Sequence, residues 1–188
     1  MAKEKKEGGA FSLVLAWAGA NRKFLVASMV AATVSGLMTM VPYWGVYRIM
    51  QAAYAGTLTE GLLAQCAAVV AVGFVVQYAC FAASSLLSHK GAYRTLFDVR
   101  CRIVDHLAHA PLGSLSERSI GQVKTVLLDD VERLELFLAH NIPEAFMYLA
   151  GPVAAFAFLC STNAPLALAT LVPFAAAVAL MGACLKVM

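Results

Sequence analysis

Charge is scarce in this 188-residue chain, at 13% of the residues against roughly 25% in an ordinary soluble domain. The scarcity argues against a water-soluble fold, and its distribution argues harder. Between Lys23 and Lys90 only Arg48 and Glu60 are charged, and from Ala145 to Leu185 nothing is. One membrane span takes about 20 apolar residues, so each stretch has room for two. Paired cysteines are also lacking. Cys66, Cys80, Cys101, Cys160 and Cys184 are odd in number, widely spaced and without a C-x-x-C pair, which excludes a disulfide framework or zinc ribbon as the organising element. They read as small hydrophobes in apolar surroundings. No glycine opens a G-x-x-x-x-G-K-[ST] phosphate loop. The basic residues form no single patch, which excludes nucleic acid as a partner.

What the chain has instead is apolar length: 61% of it is hydrophobic, and its mean hydropathy is +0.76. The runs predict spans over about 24–47, 61–87, 142–160 and 165–185. Tyr43, Trp44 and Tyr47 fall about 30 Å along a helix from Phe24, where an aromatic belt belongs. The third and fourth spans divide at the turn formers Ser161, Thr162, Asn163 and Pro165. Of the 14 Lys and Arg residues, only Arg48 falls on the far side, so the positive-inside rule places both termini in the cytoplasm of a multi-pass protein of the cell or inner membrane. Residues 1–23 read as a cytoplasmic N-terminus with a short interfacial helix, Phe11, Leu13, Val14 and Trp17 lying in lipid. A signal peptide fits less well, because Glu4 and Glu7 dilute its charge and a stronger span follows at once.

Residues 88–141 are charged and helical in pattern, far longer than an ordinary connection of about 2–8 residues. Tyr93, Leu96, Phe97, Ile103, Val104 and Leu107 recur at helical spacing, with Arg94, Asp98, Arg102 and His106 along another face. Val123, Leu127, Val131, Leu134 and Leu138 make a second such set. The two predict cytoplasmic continuations of the second and third spans. Ser88 to Ala110 would reach about 34 Å beyond the bilayer. Between them, Pro111 and Gly113 end one helix, and two capping boxes, Ser114 with Glu117 and Ser119 with Gln122, start short new ones.

Polar groups inside spans are candidates for a transport path: Ser35 and Thr39 in the first, Gln77 and Tyr78 in the second. Bonds across helices are the simpler use for such groups. Pro42, Gly151-Pro152 and Pro173 are candidate kinks. His140 and Glu144, four apart, could share a metal, but two ligands are too few and a polar pair is the better reading. Asp129 and Asp130 lack the loop of a calcium or magnesium site. His106 and His109 read as solvated surface. No spacing supports a catalytic residue or a metal centre.

With Phe97-Asp-Val-Arg100, Asp105-His-Leu107, Pro111-Leu112, Gly121-Gln-Val123 and Asp129-Asp-Val-Glu132, the chain resembles the transmembrane domain of ATP-binding cassette transporters of the exporter fold. The order and spacing match that family's first intracellular loop. The resemblance implies an all-α membrane protein of four transmembrane helices, helices 2 and 3 continuing far into the cytoplasm. It also implies that Glu117, Arg118, Ser119, Ile120, Gly121 and Gln122 are a coupling helix that docks on a nucleotide-binding domain. Gly121-Gln-Val-Lys-Thr125 and His140-Asn-Ile-Pro-Glu144 are similar to a subset that includes siderophore-handling half-transporters. That family has six spans and an ATPase domain, so a fragment is expected here, binding no cofactor itself, with ATP and Mg held by the missing domain and no enzyme activity of its own. Its implied partners are that domain, a second half-transporter in a homo- or heterodimer, lipid and an unknown substrate. The rival reading is a self-sufficient four-helix membrane protein, an electron carrier or a structural oligomer. A haem carrier would want histidines inside spans, and His89, His106 and His109 are expected outside.

Overall fold

The computed structural model describes residues 18–109, 120–125, 128–129 and 131–187, and among these it contains helices and turns and no strand. The proposed interfacial helix of residues 1–17 lies outside them; a 3-10 turn, Gly19–Asn21, leads into the first span. The helices are α1 (Arg22–Met38), α2 (Val41–Tyr54), α3 (Glu60–Ala108), α4 (Ile120–Thr125), α5 (Val131–Leu136), α6 (Ile142–Thr162) and α7 (Ala164–Val187). Four stretches are long and apolar enough to cross a membrane: Arg22–Tyr54, Glu60–Ala108, Val131–Thr162 and Ala164–Cys184.

The first span is longer than its sequence suggests and is broken at Thr39 and Met40. The cause is Pro42, which has no N–H to give the carbonyl of Met38. The chain tightens there into three-residue turns, Thr39 N–H donating to Gly36 O at 3.3 Å and Met40 N–H to Leu37 O at 3.1 Å. The Thr39 hydroxyl also bonds the Gly36 carbonyl at 2.6 Å, so the break leaves few backbone groups bare. At the far end Gly56 takes a positive φ of 66°. Its N–H bonds Ala53 O, and that of Thr57 bonds Ala52 O at 2.9 Å, closing α2 with a Schellman turn. Thr59 then caps α3 by accepting from Leu62 N–H at 3.3 Å.

Helix α3 runs unbroken for 49 residues, about 73 Å at about 1.5 Å per residue. Helix α1 lies against it and against α6, whereas α7 touches little besides α6. Two helices in lipid gain nothing from apolar burial alone, so close approach of small residues must hold them. Between α1 and α3 it does. Ser28 and Ser35 of α1 and Ser84, Ser88, Ala92 and Thr95 of α3 are buried. A Cβ added at Gly91 would stand 2.9 Å from Leu25 Cδ2, and, past the break where α2 begins, one at Gly73 of α3 would stand 2.6 Å from a Val41 methyl. Three hydrogen bonds cross this seam: Asn21 Nδ2 to Asp98 Oδ2 at 3.0 Å, Ser84 Oγ to Ser28 O at 2.8 Å, and Ser35 Oγ to Gln77 O at 3.1 Å. Positions 21, 28 and 35 are seven apart, as are 77 and 84, and 98 lies two heptads beyond 84. A repeat of seven keeps one face of each helix on its partner through a left-handed crossing.

At the charged end, Leu25, Met29, Ala92, Leu138, Ala139 and Ile142 form the buried apolar cluster. Helix α5 reaches it through a π turn, Phe137–Asn141, whose closing bond runs from Ile142 N–H to Phe137 O. The turn sits directly before Pro143, which denies the Ala139 carbonyl its usual donor. Pro152 and Pro173 are accommodated inside α6 and α7.

Gly36 sets the tightest approach of α1 to α6: an added Cβ would press on the Met147 carbonyl oxygen and stand 2.9 Å from Ala150 Cβ. Gly36→Val is expected to cost at least about 1–3 kcal/mol, since backbone cannot swing aside. The cost is read as a lowered thermal unfolding midpoint of the detergent-solubilised chain. Gly182→Ala, where nothing lies within 4 Å, leaves that midpoint in place. Ser84→Ala removes one bond across the seam and is expected to cost about 0.6 kcal/mol, a smaller shift in the same assay.

Candidate functional site

From Ser88 to its end at Ala108, α3 leaves the apolar stretch and continues for roughly 30 Å. His109 finishes it, its backbone amide donating to Asp105 O at 3.3 Å and its Nδ1 lying 3.5 Å from Asp105 Oδ1. The returning arm is α4, α5 and the π turn, which packs back on the base of α3 through the buried side chains of Val131, Leu138 and Ala139. This contact braces the lower part of the returning arm on α3.

The six residues expected to dock a partner are divided by the structure. Glu117, Arg118 and Ser119 lie outside the described residues. Ile120, Gly121 and Gln122 form the first turn of α4, where Gly121 is exposed and its carbonyl accepts from the Thr125 hydroxyl at 3.1 Å. Asp129, Glu132, Arg133, Glu135 and His140 border an open groove of about 430 Å³ along the returning arm.

Where the arms meet the apolar bundle, a polar junction forms that the linear sequence hides. The rings of His89 on α3 and His140 on the π turn stand edge to face with centroids 5.0 Å apart. His140 Nδ1 is 3.6 Å from Glu144 Oε1 one turn on, as its spacing suggested. Among the described residues His89 Nδ1 is buried without a hydrogen-bond partner, and its ring also lies 5.7 Å from that of Tyr93. Ser84, Ser88, His140 and Glu144 line a cavity of about 100 Å³ with Ala32 and Met147. His89 was expected only to lie outside the spans; fifty-one positions separate it from His140, and the antiparallel return of the arms brings the two together. Among the described residues no group of three His, Cys, Asp or Glu side chains is placed to hold a metal ion.

The four candidate pathway residues also part company. Ser35 is buried and donates across the seam to Gln77 O, and Thr39 bonds its own helix. Gln77 is half-buried, while Tyr78 is 64% exposed with its ring stacked 6.4 Å from Phe74. The aromatic belt residues Tyr43, Trp44 and Tyr47 are exposed, with Arg48 over the Trp44 ring at 6.0 Å and Tyr47 edge-on to Phe158 at 5.4 Å. The last contact ties the far ends of the first and third spans.

Comparison with known proteins agrees with this architecture. Over 92 residues, 49% of this chain, it is 32% identical to a mycobactin import ATP-binding/permease protein, IrtA, of Mycolicibacterium smegmatis, covering 11% of that protein. It is 29% identical over the same length to the protein of that name from Mycolicibacterium thermoresistibile, covering 10% of it. A third relative, an uncharacterized ABC transporter ATP-binding protein of Haemophilus influenzae, is 26% identical over 135 residues, which is 72% of this chain and 22% of that one. The chain thus spans less than a quarter of these relatives. Nothing in the comparisons supports the rival reading of a self-sufficient four-helix protein. The model of the ABC transporter transmembrane region matches residues 25–188, from the first helix to the last residue, and the chain belongs to that family.

Proposed function

We propose that this chain forms the opening part of a transporter's substrate path and couples it to an ATPase domain carried elsewhere. The observation that supports this most is α3, a single helix of 49 residues that serves as both membrane span and projecting lever. In this reading the charged end faces the cytoplasm of the inner or plasma membrane, where 13 of the 14 basic residues gather. Residues 117–122 dock on the nucleotide-binding domain, which holds ATP and Mg, and a second half-transporter completes the path. A 49-residue helix has one register, so a push at its tip reaches Gln77 without loss in a loop. Of the four polar candidates, Gln77 and Tyr78 are the ones whose side chains make no hydrogen bond among the described residues, whereas the Ser35 and Thr39 hydroxyls are already engaged.

The substrate class we propose is an iron-chelating siderophore, moved inward. The relatives named for mycobactin import support it, as does the Gly121-Gln-Val-Lys-Thr125 and His140-Asn-Ile-Pro-Glu144 pattern.

Docking is tested by placing cysteine at Ser119 or Gln122 in the full-length transporter and crosslinking to the nucleotide-binding domain. A crosslink from at least one site is expected, and none from either overturns the coupling assignment. The lever is tested by Val104→Pro, which breaks the helix interior at a cost of about 3 kcal/mol. The expected outcome is ATP hydrolysis retained and substrate uptake into vesicles lost. Uptake at the unmodified rate would show that the lever carries no signal. Ferric siderophore uptake by cells, lost when the transporter is deleted, tests the substrate class; undiminished uptake sinks it.

A further inference from the structure

Phe24, the first residue of the first apolar run, has three cations around one ring. Lys90 Nζ lies 5.0 Å from the ring centroid, Arg94 Cζ 5.1 Å and Lys23 Nζ 5.4 Å. No two of these charges are then more than about 10 Å apart, no farther than a Debye length in 0.1 M salt. The grouping is built by the seam. Gly91 lets α1 close on α3, and a Cβ there would stand 3.3 Å from that of Phe24, which sets the ring level with Lys90 and Arg94, one turn apart on α3. A ring face attracts a cation without neutralising it. Among the described residues none of the three has a carboxylate in ion-pair reach. Asp98, one turn beyond Arg94, is engaged by Asn21 Nδ2 at 3.0 Å. Like charges held this close favour an anion among them.

Position says where it comes from. Lys23 and Lys90 bound the charge-poor stretch that holds the first two apolar spans, so the cluster stands at the boundary between hydrocarbon and headgroups. Lys23, Lys90 and Arg94 are all exposed, their stems free to run along the helix while their heads reach the headgroup layer. Arg94 also borders an open pocket of about 320 Å³ with Asn21, Tyr93, Phe97 and Asp98, which leaves room beside the cations for a headgroup. We infer that Lys23, Lys90 and Arg94, gathered on Phe24, form a binding site for the phosphate of an anionic phospholipid at the junction of the first two spans. The inference rests on where the charges meet the apolar boundary and not on what the chain transports.

The test is binding of a fluorescent short-chain phosphatidylglycerol to the full detergent-solubilised chain. Phosphatidylglycerol is expected to bind, and neither short-chain phosphatidylcholine nor inorganic phosphate to displace it. Removing all three charges, Lys23→Gln with Lys90→Gln and Arg94→Gln, is expected to weaken binding about 100-fold, and each single change about 5-fold. Arg102→Gln with Lys124→Gln takes two charges from the projecting arms and should leave binding unchanged. Equal weakening by that control pair, or displacement by phosphatidylcholine, overturns the site. Displacement by inorganic phosphate would make it a site for free anions and overturns the lipid assignment. Should the triple variant lose helical content, the unmodified chain still decides: binding must fall as salt rises, and salt-insensitive binding overturns the proposal.

Discussion

The fold depends on how closely two helices can approach when lipid gives them no hydrophobic reason to touch. Between α1 and α3 the answer is a seam of serine, alanine and glycine, crossed by hydrogen bonds at Asn21, Ser28 and Ser35. Each bond is weak alone, and together they fix a register, because positions seven apart return to one line on both helices. That register places everything else at the charged end. It sets Phe24 beside Lys90 and Arg94, and it leaves His89 on the side where the returning arm brings His140.

The same seam holds the longest helix in place. Helix α3 is gripped by α1 through its apolar part and by the returning arm at its base, yet no break interrupts it between Glu60 and Ala108. Irregular backbone occurs in its neighbours, at Thr39-Met40 in the first span and in the π turn before Pro143. Both irregularities follow from a proline that cannot donate to the carbonyl four residues earlier. The long helix is thus regular along its length while its neighbours carry local faults.

Much of this was legible in the residues. The four spans follow from apolar runs between identified charges, and the division at Ser161 to Pro165 falls where Asn163 caps α7 by accepting from Leu166 N–H at 3.1 Å. The projecting arms follow from the helical period of 88–141. The true length of the first span was not legible, because Pro42 and the aromatic residues Tyr43 to Tyr47 mark an end only if the helix is straight. The i, i+4 spacing placed Arg94, Asp98, Arg102 and His106 along one helix face. Among the described residues Asp98 bonds Asn21, 77 positions away, since a seam contact satisfies its carboxylate and an exposed neighbour would not do so as well.

By itself the sequence determined that this chain lives in a membrane, how many times it can cross, and which stretch between the spans is too charged for lipid. Those properties depend on composition and period, which are local. Only the tertiary structure decided what the polar minority does: which serine closes a seam, which histidines meet, and where three cations share a ring. Such meetings join residues tens of positions apart, and they depend on the register of packed helices, which small side chains permit but no single stretch of sequence specifies.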